Sequence, residues 1–111
     1  MENTKIGKKE VIKAYKLMMK ALSHESRLDI LYSLYEKPKT WTELLFELKI
    51  NPKSLRDHLN YLKKSGLVRK GETVGFELTD AAKAFIDYSL RDVMRIAKQA
   101  TQILRRERSE L

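Results

Sequence analysis

Residues 42–68, TELLFELKINPKSLRDHLNYLKKSGLV, read as two short helices joined by a tight turn. Leu44, Leu45 and Leu48 keep helical spacing as far as the break at Lys49, Ile50 and Asn51. Asn51 can then cap a second helix, with Pro52 at its first position, where a missing N–H is harmless. From there Leu55, Leu59 and Leu62 recur at i, i+4 and i+7 and form one apolar face. Lys53, Arg56, Asp57, Asn60 and Lys64 collect on the opposite face at about 100° per residue. Gly66 ends the helix, and Leu67 and Val68 begin a strand. Basic and amide groups on the outer face of a helix that follows a short turn are what reading base edges in a major groove requires.

Working outward, residues 8–22 form an amphipathic helix with Val11, Tyr15, Met18 and Leu22 in one stripe, widened by Ile12 and Met19. Ser23 is expected to cap the next helix, with Glu25 in its first turn and Leu28, Leu31, Leu34 and Tyr35 on its apolar side. The KPK at 37–39 breaks that helix. Thr40 and Trp41 are expected to form a very short strand, and Thr42, or Thr40 paired with Glu43 in a capping box, opens the first helix of the pair. Beyond the second helix, residues 67–70 and 74–78 read as a hairpin, since Val74, Phe76 and Leu78 alternate with Gly75 and Glu77.

The last helix, residues 80–106, carries Ile86, Leu90, Val93, Ala97, Ala100 and Leu104 at spacings of 4, 3, 4, 3 and 4, a coiled-coil seam. Burying one aliphatic side chain contributes about 1.5–3 kcal/mol, so several left exposed on a monomer would invite aggregation. The seam therefore calls for a partner, either a second copy of the chain or the N-terminal helix of the same one. Met94, Ile96 and Ile103 give the helix a second apolar flank, with which it can pack on the N-terminal helix of the same chain.

With 111 residues and 42% hydrophobic composition there is room for one domain with a modest core. No apolar run approaches the roughly 20 residues that cross a bilayer, and MENTKIGKKEVIK at the start lacks the apolar stretch of a secretory signal, so a cytoplasmic location is expected. The net charge of +8 is unevenly spread. Residues 1–22 hold six Lys/Arg against two acids, 23–50 four against five, 51–80 six against four, and 81–111 seven against four. Positive charge on the second helix of the pair and on both terminal helices suits a polyanion touched by several elements.

Three segments together carry a family resemblance: ALSHESRLDIL at 21–31, the L-x-x-H-L-x-x-L-x-x-S-G-L-V pattern within 51–68, and FELT at 76–79. In this order and spacing they resemble the winged helix-turn-helix of ArsR-type transcriptional regulators, over about residues 17–85; MarR-like regulators share much of the pattern. The resemblance implies a mainly α fold with a small β-hairpin wing. It implies one domain over 1–111, with an N-terminal helix at 8–22, a DNA-binding core at 23–79 and a C-terminal dimerisation helix at 80–106. The implied function is sequence-specific binding of double-stranded DNA by a homodimer, with residues 52–64 in the major groove.

The candidate DNA-facing residues are Lys53, Ser54, Arg56, Asp57, Asn60, Lys63, Lys64, Arg69 and Lys70. Ser54 sits at the helix N-terminus, where its hydroxyl and free backbone N–H groups can hold a phosphate. Asp57 departs from the family pattern; it can accept from cytosine N4, or orient Arg56 or Lys53. Lys63 and Lys64 suit the helix dipole as well as they suit DNA. Arg69 and Lys70 lie at the base of the wing, whose tip, GETVG at 71–75, carries an acid and no base. Deep insertion of an arginine into the minor groove is therefore not expected.

Zero cysteines exclude disulfides and thiolate metal sites. The cysteine-bearing segment of the thiolate sensors reads ELLFEL at 43–48 here, and the two histidines, His24 and His58, lie far apart in sequence, so neither a metal nor a cofactor is expected. His58 is read as a core histidine, and Tyr32, Trp41 and Phe46 as core aromatics. No Gly-rich phosphate loop and no nucleophile–base arrangement supports an enzyme. Two rival readings remain at this level: a winged helix used for protein contacts in a transcription assembly, and a chromatin-type binder of low sequence specificity.

Overall fold

The computed structural model describes residues 5–73 and 75–110, Leu90 by its backbone alone. Five helices and one hairpin follow in the order α1 (Lys8–Leu22), α2 (Glu25–Glu36), α3 (Trp41–Leu48), α4 (Pro52–Lys64), β1 (Val68–Lys70), β2 (Phe76–Leu78) and α5 (Asp80–Glu110). This is a winged helix-turn-helix, mainly α with a β-hairpin wing.

Local chemistry accounts for most boundaries. The Thr40 side chain accepts from the Glu43 N–H and the Glu43 carboxylate accepts from the Thr40 N–H, a complete capping box at the start of α3. Asn51 Oδ1 accepts from the N–H groups of Lys53 and Ser54, with Pro52 opening α4. At the other end of α4, Gly66 takes a left-handed φ of 77°. Its N–H reaches the Lys63 carbonyl and the Leu67 N–H reaches Leu62, the paired bonds of a Schellman stop. The Thr79 hydroxyl donates to the Gly66 carbonyl and accepts from the Ala82 N–H, which ties the start of α5 to the end of α4.

Several local expectations are corrected. Ser23 does not cap α2; it terminates α1, with its hydroxyl on the Lys20 carbonyl, and His24 holds the N-cap position without a side-chain bond. The residue that pairs with the wing before α3 is Lys39, rather than Thr40 and Trp41 forming a short strand; Thr40 is extended but serves as the N-cap of α3. Lys39 bridges Phe76 antiparallel to β2, whereas Trp41 already belongs to α3. The hairpin pairs Val68 with Leu78, Arg69 with Glu77 and Lys70 with Phe76; Leu67 precedes it, and the expected strand residue Val74 lies outside the described residues. α5 continues four residues past Arg106, to Glu110.

The core gathers on α2, which touches α1, α3, α4 and β2. Ile30, Leu31 and Leu34 of α2 pack with Leu44, Leu55, Leu59, Leu62, Leu67, Val68 and Leu78, and with Ala82 and Ile86 from the start of α5. A helix enclosed on several sides has no single apolar stripe, so Ile30 is buried where periodicity points to Tyr35, which is exposed and donates its hydroxyl to Asp87. Trp41 is half-buried against the core, but Tyr32 and Phe46 are exposed.

The two terminal helices stand in contrast to this core. α1 buries Ala21 and half-buries Met18 and Leu22, leaving Val11, Ile12, Tyr15 and Met19 uncovered. In α5 every residue from Arg91 to the last one described is exposed. The radius of gyration is 17.2 Å, against about 13 Å for a compact chain of this length. Among the described residues no helix is long and apolar enough to cross a membrane.

Candidate nucleic-acid interface

The turn between α3 and α4 is made tight by Lys49, which adopts a left-handed φ of 53° and donates its N–H to the Leu45 carbonyl. Two residues later the Asn51 cap starts α4, so the two helices are joined without a loop long enough to bend. α4 buries Leu55, His58, Leu59 and Leu62 against α2 and β1. That leaves Lys53, Arg56, Asp57, Asn60, Lys63 and Lys64 on the exposed side. Among the described residues none of these six side chains makes an ion pair or a hydrogen bond within the chain. Four cations, a carboxylate and an amide are therefore presented together with their bonding capacity unused.

Ser54 is also exposed, but its N–H and that of Lys53 already serve Asn51 Oδ1. The capacity of this helix end for an anion therefore rests on the hydroxyl more than on the first-turn amides. Among the described residues Asp57 pairs with neither Arg56 nor Lys53. On the wing, Arg69 lies opposite Glu77 in register and pairs with it at 3.6 Å. Lys70 is exposed with no such partner among the described residues.

His58 is buried, as expected, but its surroundings contain more than apolar side chains. Its ring lies 4.3 Å from that of His24, centroid to centroid, and its Nδ1 accepts from Arg27 Nε at 3.3 Å. Burial, with the His24 ring and the Arg27 guanidinium beside it, holds the His58 imidazole below its ordinary pKa, and Asp57 pulls more weakly the other way. The fold thus joins two histidines that sequence order keeps apart. The third group at His58 is the Arg27 guanidinium, and among the described residues no three His, Asp or Glu side chains gather as a metal site.

Arg27 is the residue that sequence reasoning passed over. Its guanidinium lies 3.9 Å over the Tyr61 ring and also donates to the Lys20 carbonyl. One side chain of α2 therefore touches the end of α1 and two turns of α4. The only sequence signal was its position in the ALSHESRL segment.

The candidate dimer residues separate into two groups. Ile86 is buried in the core of its own chain, because α5 enters that core with Ala82, Phe85 and Ile86. Val93, Ala97, Ala100 and Leu104 are exposed, and Ile96 and Ile103 beside them are uncovered too. The side chain of Leu90 lies outside the described residues.

Residues 24–70 match the family described as bacterial regulatory protein, arsR family. No curated protein sequence matches the chain. Among solved structures, HlyU from Vibrio cholerae N16961 is 30% identical, over 74% of this chain and 94% of that one, with a TM-score of 0.64. The transcriptional repressor BigR from Xylella fastidiosa is 26% identical, over 80% and 90% of the two chains, also with a TM-score of 0.64. The homodimeric winged helix-turn-helix DNA-binding domain of Mb0332 from Mycobacterium bovis, described as a possible ArsR-family regulator, shares the fold at 19% identity, over 90% and 95%, with a TM-score of 0.69. The family match falls on α2, α3, α4 and β1, the elements that build and support the exposed face of α4; this chain belongs to the arsR family of bacterial regulatory proteins.

Proposed function

We propose that this chain is a homodimeric, cytoplasmic transcriptional regulator that binds double-stranded DNA sequence-specifically, acting as one domain over residues 1–111. The observation that carries this reading is the outer face of α4, where Lys53, Arg56, Asp57 and Asn60 are exposed on a helix whose opposite face is locked into the core. Each of three offers a different base-edge bond in a major groove: Arg56 to guanine O6 and N7, Asn60 to adenine, Asp57 to the cytosine amino group. Lys63, Lys64 and Lys70 supply phosphate contacts, with the Ser54 hydroxyl at the helix start. Arg69 adds less, because Glu77 already neutralises part of its charge.

The dimer reading is supported by α5. The face that enters the core through Ala82 and Ile86 continues beyond the body of the chain as Val93, Ile96, Ala97, Ala100, Ile103 and Leu104. A second copy would cover that face and the groove of about 320 Å³ beside it, lined by Leu22, Leu28, Leu31, Tyr32 and Phe85. The homodimeric state of Mb0332 is consistent with this. Two recognition helices related by a two-fold axis would require an inverted repeat, with half-sites about 10 base pairs apart or a multiple of that.

Selection of bound fragments from random double-stranded DNA tests the reading. A two-fold-symmetric motif is the expected result. A featureless pool would leave a DNA binder of low specificity, and no recovery would leave a winged helix used for protein contacts.

A further inference from the structure

Lys39 is the most deeply buried charged residue among those described, at 4% exposure, and it sits where three elements meet. Its main chain makes an isolated antiparallel bridge to the wing: the Lys39 N–H reaches the Phe76 carbonyl at 3.1 Å, and the Phe76 N–H returns to the Lys39 carbonyl at 2.8 Å. Its ammonium donates to Ser33 Oγ of α2 at 2.9 Å and to Glu47 Oε1 of α3 at 2.6 Å, and the Ser33 hydroxyl donates in turn to the same Glu47 carboxylate. Glu36 lies farther off, at 3.8 Å. A buried ammonium that loses its acceptors is strongly unfavourable, so this lysine holds its place between α2 and α3.

The neighbouring wing residue is fitted to this arrangement. Gly75 has a φ of 87°, and a Cβ there would lie 2.4 Å from the Lys39 carbonyl oxygen. Only glycine permits the wing to approach Lys39 this closely. The wing is therefore bonded to the backbone of a residue whose side chain is anchored on the first helix of the helix-turn-helix.

We propose that Lys39 is a positioning residue for DNA binding, which fixes the wing relative to α3 and α4 so that both reach one duplex in a single geometry. The inference rests on the DNA-binding reading above. Lys39 itself touches no nucleic acid on this account; it acts through the placement of β1 and β2, which carry Arg69 and Lys70.

The test compares the full chain with Lys39→Met, Glu47→Gln and the double variant, by amide hydrogen exchange of the free protein and by hydroxyl-radical footprinting and salt titration on the selected DNA. Lys39→Met should raise exchange at the Lys39 and Phe76 amides on the order of tenfold or more, while the amides of α4 keep their protection. On DNA it should remove the protection that the wing gives at the outer edge of each half-site and lower the salt slope by about one unit for every phosphate the wing no longer neutralises, with base preference under α4 retained. Glu47→Gln should give the same pattern in weaker form and keeps the test open if Lys39→Met does not fold. The double variant should be no worse than Lys39→Met alone, since both act on one ion pair. Unchanged wing exchange and an unchanged footprint in both single variants would overturn the proposal. So would loss of protection throughout the chain together with uniform loss of binding in both single variants, which marks an ion pair needed only for folding. If the wild-type chain itself leaves no footprint, the DNA reading fails and the positioning role falls with it; exchange at Phe76 then still decides whether Lys39 tethers the wing.

Discussion

α4 and α5 are both amphipathic helices rich in positive charge, yet the chain treats them in opposite ways. The apolar side of α4 is closed off completely, with Leu55 and Leu62 at 0% exposure and Leu59 at 2%. α5 buries Ala82 and Ile86 near its start, and from Arg91 onward the same apolar face runs uncovered among the described residues, with Ile103 and Leu104 each 52% exposed. What a helix leaves unsatisfied indicates what it is for. α4 has committed its hydrophobic side to its own chain and keeps hydrogen-bonding groups free, as a reader of a polar surface must. α5 keeps apolar groups free, as a helix that meets another apolar helix must.

The comparison can be broken first at its strongest point. Leu59→Ala opens a cavity beneath the recognition face and should cost about 2–5 kcal/mol, at every protein concentration alike, in urea unfolding. A loss that shrinks as concentration rises would mean that α4 also depends on a second copy. Polar replacement of the α5 face should behave the other way. Val93→Gln with Leu104→Gln should yield monomer in sedimentation or light scattering and weaken binding to the two-half-site DNA about 100-fold or more, because the half-sites are no longer bound together. An unchanged dimer would put the interface elsewhere.

Within α4 the contrast sharpens to single residues. Arg56→Ala should cost about 1–3 kcal/mol on the selected DNA and relax preference at one position per half-site, with little change on scrambled DNA. Arg69→Ala should weaken all sequences equally and lower the salt slope by less than about one unit, because Glu77 shares that charge. Equal loss on both DNAs for Arg56→Ala would assign the base reading to another residue. The smallest effect concerns pH. The His58 pKa is depressed in the folded chain by burial, then by His24 and Arg27, so the stability it contributes is present above the unfolded value of about 6.5. It is lost as pH falls through the lower folded value. Urea midpoints taken from neutral to mildly acid pH should show a decline in that window, and His58→Gln should flatten it.

The elements legible in the sequence are those whose causes are local. The Asn51–Pro52 start of α4, its Gly66 stop and the Thr40–Glu43 capping box each need only a few adjacent residues, and all are in place. The Leu55, Leu59 and Leu62 stripe could be read because α4 has one buried side. α2 could not be read so simply, since neighbours on several sides bury Ile30 and leave Tyr35 outside. Lys39 was legible only as part of a helix-breaking KPK, because its partners, Ser33 and Glu47, come from two different helices. The exposed face of α4 was legible as a set of residues, whereas the Arg69–Glu77 pair and the meeting of His24 with His58 depend on strand register and helix packing.

The guanidinium of Arg27 has a mechanical consequence. It is a flat, rigid group with donors fixed in its plane, and here it is pinned at the Lys20 carbonyl, at His58 and over Tyr61. Such a group behaves as a crossbar. In the proposed homodimer, any rotation of the end of α1 on engagement of its uncovered face would be delivered to α4 with little slack, so the distance between the two α4 helices would be geared to the joint between the two chains.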